Sequence, residues 1–108
     1  MATGDIKQVT NNSGAGYCKM PDGTMIQWGS GGSYASGNSR DTDVTMPLSF
    51  VDTNYTIMAM GLYSNDPSVY EVIHIAKTVS ASKFTVHQKN PTSNYLQAFR
   101  WLTIGRWK

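Results

Sequence analysis

The sequence predicts an all-β domain, an antiparallel β-sandwich of about six to eight strands. Apolar residues come in short runs rich in Val, Ile, Tyr, Phe and Trp, bounded by Gly, Pro, Asn, Asp and Ser, which is the pattern of strands and turns. No stretch carries the apolar stripe of an amphipathic helix, a heptad or an internal repeat. The 108 residues suffice for one domain, and 15% charged against 40% apolar residues is the balance of an ordered globule.

In chain order, residues 1–16 read as an extended lead-in, ending in the flexible run Asn11-Asn12-Ser13-Gly14-Ala15-Gly16. The domain proper spans 17–108. Tyr17–Met20 and Thr24–Gly29 form a hairpin around Pro21-Asp22-Gly23, because Pro presets the turn dihedral and Gly accepts a positive one. Residues 29–43, dense in Gly and Ser, read as a long loop carrying Tyr34 and Arg40. Val44–Phe50 is a strand whose Pro47 demands an edge position or a bulge. After a turn at 51–54, Tyr55–Tyr63 places Met58, Met60 and Leu62 on one face and Ile57 and Ala59 on the other. Asn65-Asp66-Pro67 marks the next turn. Val69–Val79 is a strand, Ser80-Ala81-Ser82 a tight connection, and Lys83–His87 a strand with Phe84 and Val86 inward. Residues 88–94 are a polar loop, and Tyr95–Trp107 closes the sheet. Phe99, Trp101 and Trp107 share one side of this last strand, Leu102 and Ile104 the other. A sandwich buries one face of each sheet, so a second apolar face requires a neighbouring subunit. Trp28 is expected to be structural, in the core or at that interface.

Several function classes drop out. A net charge of +2 is too balanced for a nucleic-acid surface, although Arg100, Arg106 and Lys108 gather at one terminus. Cys18 is the single cysteine, which rules out an intrachain disulfide and suits a small packed side chain. No apolar run approaches a membrane span, so no membrane insertion is expected. The polar start is no signal peptide, which points to synthesis in the cytoplasm. His74 and His87 lack metal-ligand spacing, and neither a metal nor a cofactor is expected. Gly29-Ser30-Gly31-Gly32-Ser33 resembles a nucleophile elbow or a phosphate loop in composition only. Asp41 and Asp43 alternate at a strand start and suit solvation better than glycoside cleavage. No catalytic residue is assigned.

The segment from Tyr17 through Pro21-Asp22-Gly23 to Ile26-Gln27-Trp28-Gly29 resembles the entry hairpin of the C-terminal receptor-binding domain family of bacteriophage tail-fibre proteins. Val44-Thr45-Met46-Pro47-Leu48-Ser49-Phe50 is similar to the family's next signature, Val-Thr-Phe-Pro-x-x-Phe. Asn54-Tyr55-Thr56-Ile57 resembles the strand that follows, and the run from Phe99 to Trp107 the terminal strand. Met46, Thr103 and Arg106 depart from the usual Phe, Ala and aromatic residue. The resemblance spans Tyr17 to Trp107. It implies a homotrimeric sandwich at the tip of a virion tail fibre, phage- or prophage-encoded and made in the host cytoplasm. It further implies adhesion to a bacterial surface glycan or protein receptor, with residues 1–16 a remnant of the fibre shaft. The trimeric animal lectins offer an analogy of architecture. A glycan-degrading tail enzyme and a trimerisation cap without ligand are the alternatives.

Adaptable binding loops favour Tyr, Ser, Gly and Asn. If consecutive strands are antiparallel, loops 29–43, 64–68 and 88–94 gather at one end, which makes Tyr34, Arg40, Asp66, Tyr70, Asn94 and Tyr95 the receptor-binding candidates. In that arrangement Tyr17–Met20 descends from the loop end, so the lead-in must double back to reach a shaft.

Overall fold

The computed structural model describes residues 7–10 and 15–108. The strands are β1 (Lys7–Thr10), β2 (Gly16–Lys19), β3 (Thr24–Gly31), β4 (Ala35–Ser36), β5 (Ser39–Thr45), β6 (Thr56–Gly61), β7 (Ile73–Ser80), β8 (Lys83–Lys89), β9 (Tyr95–Leu96) and β10 (Phe99–Arg106). They form a five-stranded sheet ordered β1-β2-β3-β10-β6, a three-stranded sheet ordered β5-β8-β7, and the small pair β4-β9. Every pairing is antiparallel. The expected β-sandwich is present, and β4 and β9 are short additions to it.

The two sheets close on one core. Met25, Phe99 and Trp101 of the larger sheet meet Val44, Phe84 and Val86 of the smaller one. Phe84 packs edge-on against Trp101 with ring centroids 5.3 Å apart. Phe84 and Phe99 are wholly buried, each worth roughly 1.5–3 kcal/mol of hydrophobic stabilisation. At one end, called proximal, Phe50 stacks on Tyr55 at 4.7 Å. The single Tyr55 O–H lies within hydrogen-bond reach of the carbonyls of Ser80 (2.8 Å) and Lys83 (2.9 Å), tying this plug to the β7–β8 turn.

The entry hairpin is locked by the chain terminus. Gly23 holds φ +101°, in the left-handed region that favours glycine. The Arg106 guanidinium donates to the Asp22 carbonyl at 2.7 Å, and the Trp107 indole donates to the Met20 carbonyl at 2.8 Å. Gln27, wholly buried, uses both ends of its amide on Leu48: Nε2 donates to the Leu48 carbonyl (3.0 Å) and Oε1 accepts from the Leu48 N–H (2.9 Å). Gly29 lies under the Trp101 ring, where a Cβ would sit 2.6 Å from Cζ2. The Pro-Asp-Gly to Gln-Trp-Gly segment is thus a set of packing requirements.

Four expectations change. Residues 29–43 are mostly strand, since β3 continues to Gly31 and β5 begins at Ser39. The predicted strand 44–50 ends at Thr45; Pro47 lacks the N–H that a ladder needs, and Met46 and Phe50 turn into the core instead. Val69 and Tyr70 belong to a 3-10 turn, Pro67–Tyr70, capped by Asp66, and β7 begins only at Ile73. The last strand breaks between Leu96 and Phe99. Trp28 lies outside the core, half-buried on the outward face of β3 opposite Leu102.

Strand directions define the two ends. β3 leaves the Pro21–Gly23 turn and rises to a distal end, and β6 and β8 rise beside it. Connections 32–38, 62–72 and 90–98 therefore lie distal, and 46–55 and 81–82 proximal. β1 pairs antiparallel to β2 with Lys7 opposite Lys19, so it enters at the proximal end. Of the lead-in 1–16, residues 1–6 and 11–14 lie outside the described residues.

Candidate functional site

Three distal loops each contribute a tyrosine to one cluster. Tyr34 follows β3, Tyr70 ends the 3-10 turn, and Tyr95 opens β9. The ring centroids of Tyr34 and Tyr70 are 5.8 Å apart and edge-on; those of Tyr70 and Tyr95 are 5.8 Å apart and tilted. Tyr34 is 48% and Tyr95 49% exposed, with Tyr70 half-buried between them. The Tyr34 hydroxyl donates to the Leu62 carbonyl at 3.2 Å, which orients the ring. The result is an aromatic shelf that is apolar on its faces and polar at its rim. Beside it opens a cleft of about 340 Å³ bordered by Gly61, Tyr70, Val72, His74 and Gln97.

The other candidates have different surroundings. Asp66 is exposed and accepts from the Ser68 backbone N–H (3.0 Å) and hydroxyl (2.8 Å), capping the turn that carries Tyr70. The Ser68 hydroxyl and then its N–H hold the Asp66 carboxyl below its usual value. Asn94 is exposed and its carbonyl accepts from Gly37 N–H at 3.1 Å, joining two loops. Arg40 points inward from β5. Its Nη2 lies 2.7 Å from Gln88 Oε1 and 3.0 Å from each of the Ser33 and Gln97 carbonyls, sharing its two hydrogens among the three, and Nε also reaches Gln88 (3.2 Å). Arg40 therefore braces the shelf from beneath through Nη2 and Nε, while Nη1 makes only a 3.5 Å contact with the Ser33 hydroxyl.

Beneath Arg40 the network continues. Gln88 Nε2 donates to the Gln97 carbonyl and lies 3.0 Å from His74 Nε2. His74 Nδ1 lies 3.1 Å from the Val72 carbonyl. An imidazole facing a donor on Nε2 and an acceptor on Nδ1 is the neutral tautomer protonated at Nδ1. Burial pushes the His74 pKa down, against a smaller upward effect of the Val72 hydrogen bond.

Asn90, unmarked by any sequence motif, is 2% exposed. Its Nδ2 donates to the carbonyls of Val69 (3.0 Å) and Tyr95 (2.7 Å). Its Oδ1 accepts from the N–H groups of Thr92 (3.2 Å) and Ser93 (2.9 Å), and its own N–H donates to Asn38 (2.8 Å). An Asn followed by Pro, Thr and Ser reads as an ordinary polar loop, and only long-range packing reveals it as buried.

Elsewhere, Asp41 and Asp43 project from β5 onto the outer face of the three-stranded sheet, away from the shelf. Asp41 lies 2.5 Å from His87 Nδ1, and Asp43 accepts from the Thr85 hydroxyl at 2.7 Å. Among the described residues no group of three His, Cys, Asp or Glu side chains could hold a metal ion, and no helix is long and apolar enough to cross a membrane. Cys18 is half-buried on the outer face of β2.

Fold and loops define a class: a small β-sandwich that presents its long loops at the end away from its entering strand. The chain belongs to the family of gp53-like tail fiber protein C-terminal domains, whose model matches residues 19–106. Among solved structures it is similar to the C-terminal part of the P. aeruginosa R2 pyocin fiber, with TM-score 0.67 and 15% identity over 93% of this chain and 26% of that one. The corresponding P. aeruginosa R1 pyocin fiber gives TM-score 0.63 and 18% identity over 92% of this chain and 28% of that one. An N-truncated R1-type pyocin tail fiber matches equally well, with TM-score 0.63 and 18% identity over 92% of this chain and 85% of its own. This chain thus spans little more than a quarter of the longer R1 structure. No curated protein matches it.

Proposed function

We propose that the chain is the receptor-binding tip of a virion tail fibre, with the shelf of Tyr34, Tyr70 and Tyr95 as the surface that meets the host. The observation that carries this reading is the convergence of three tyrosines from three separate loops at the end opposite the entering β1. Residues 1–16 would then join the domain to a shaft on the proximal side, leaving the shelf outermost. Tyrosine faces stack on the C–H faces of sugar rings, while the exposed Asn94 and the neighbouring loop hydroxyls match sugar hydroxyls. A bacterial surface glycan is accordingly the preferred receptor. We read the shelf as a binding surface and assign none of its residues a catalytic role. Asp66 and Asn94 shape the rim, and Arg40 supports the shelf from below.

Assembly is part of the same proposal. The outer face of the five-stranded sheet carries Ile26, Trp28, Met58, Met60, Leu102 and Ile104, an apolar surface suited to two further copies of the chain in a homotrimer. Tyr34→Ala and Tyr95→Ala are expected to weaken adsorption to host cells by about tenfold or more, in line with hot-spot aromatics. Trimer and melting temperature should stay unchanged. Normal adsorption by both variants, with adsorption lost on Asp52→Ala at the proximal end, would reject the reading. Release of oligosaccharide from host polysaccharide would favour the enzyme instead.

A further inference from the structure

We infer that Asn90 is the positioning residue of the tyrosine shelf: its buried side-chain amide sets the Tyr70 loop against the Tyr95 loop, and its backbone N–H holds the loop that follows Tyr34, without touching the ligand. The inference rests on the reading that the shelf meets the receptor. Three aromatic residues on three loops have no common backbone, so something must fix their spacing. Asn90 follows directly on β8, the central strand of the three-stranded sheet, and is therefore tied to the rigid scaffold. From there one side chain holds the residue before Tyr70, through the Val69 carbonyl, and Tyr95 itself through its carbonyl. Its backbone N–H holds Asn38, beyond the β4 strand that follows Tyr34. Its Oδ1 turns the 92–93 segment back toward Tyr95.

The geometry uses the full capacity of an amide. Both Nδ2 hydrogens are donated to carbonyls and Oδ1 accepts from two N–H groups, in a site 2% exposed. Aspartate has the same shape but no donor, and would set a carboxylate oxygen against two carbonyl oxygens. Glutamine carries an extra methylene into a filled site. Asn90 is thus chosen for its hydrogen-bonding pattern and not for its size. Burial of the unmatched group would be relieved by the loops moving apart, because they are the softer side of the contact.

The test is Asn90→Asp in the full chain, with two readouts: adsorption to whole host cells, and amide hydrogen exchange resolved by segment. The expected result is adsorption weakened by about tenfold or more, faster exchange in 66–72 and 91–96, and unchanged exchange in β3 and β10. Native adsorption overturns the inference. So does faster exchange throughout β3 and β10, because Asn90 would then be holding up the whole fold. Failure of the underlying reading has a different signature: Tyr34→Ala and Tyr95→Ala then adsorb normally while Asn90→Asp still loosens the two distal segments.

Discussion

The outward faces of the two sheets are built from the same strand alternation and end in opposite chemistry. On the five-stranded sheet, the central strands β3 and β10 turn Ile26, Trp28, Leu102 and Ile104 outward, with Arg100 towards the distal end, and the neighbouring β6 adds Met58 and Met60, which are 48% and 73% exposed. On the three-stranded sheet, the central strand β8 turns Thr85, His87 and Lys89 outward, beside Asp41 and Asp43 of β5. Ladders cross that second face, Asp43 to Thr85 and Lys83, and Asp41 to His87. Its large apolar members, Ile73, Ile75 and Val79, sit on the edge strand β7. A surface meant for water spends its central positions on charge and hydroxyls, whereas one meant to be covered spends them on large apolar side chains. The contrast is the ground on which the five-stranded face is proposed as the assembly surface.

The largest expected effect comes from placing a charge at the centre of the apolar face. Leu102→Asp should abolish assembly, since an unpaired carboxylate in a buried interface costs several kcal/mol. Ile75→Lys, on the other sheet, should leave the oligomer intact. Sedimentation of the two variants decides it, and the opposite pattern would reverse the roles of the faces. A second comparison sets the two faces of the larger sheet against each other. Trp101 is 4% exposed in the core, so Trp101→Ala should cost about 3–5 kcal/mol of protomer stability. Trp28→Ala should act mainly on assembly, visible as a melting temperature that falls steeply on dilution. The smallest effect belongs to the polar face. The Thr85 hydroxyl first and Lys83 second hold the Asp43 carboxyl below its usual 3.8. A depressed folded-state pKa stabilises the fold above the unfolded value and is lost as pH falls through the folded one. Asp43→Asn should therefore lower stability slightly near neutrality, where the carboxylate contributes, and the difference from the native chain should vanish as pH falls below the usual carboxyl value of 3.8.

Much of the fold was legible because it is local. Phe84 and Val86 facing in, Met58 and Met60 sharing a face, and the Pro-Asp-Gly turn all follow from side-chain period and turn chemistry. The departures from the family pattern are another matter. Met46 and Thr103 are distant in sequence, yet the Thr103 hydroxyl lies 3.2 Å from the Met46 sulfur in the core. Each departure sits against the other, and nothing in either neighbourhood of the sequence announces the contact. β5 was hidden for a related reason. Its outward Ser39, Asp41, Asp43 and Thr45 give it the composition of a loop, and its inward Arg40 is acceptable only because Gln88 and the Ser33 and Gln97 carbonyls receive it.

The candidate site divides along the same line. Tyrosines among Ser, Gly and Asn could be read as binding candidates, and strand parity was enough to place their loops at one end. Sequence could not say that Tyr34, Tyr70 and Tyr95 would share one shelf, that Arg40 would turn beneath it, or that Asn90 would be buried. By itself the sequence determined the strand faces, the entry hairpin and the family resemblance, because these depend on neighbours one to four residues away. The tertiary structure decided which loops touch and which polar groups are satisfied. Those outcomes depend on partners brought together by strand pairing, such as Arg40 with Gln88 and Asn90 with Val69, and a buried hydrogen bond has no local signature.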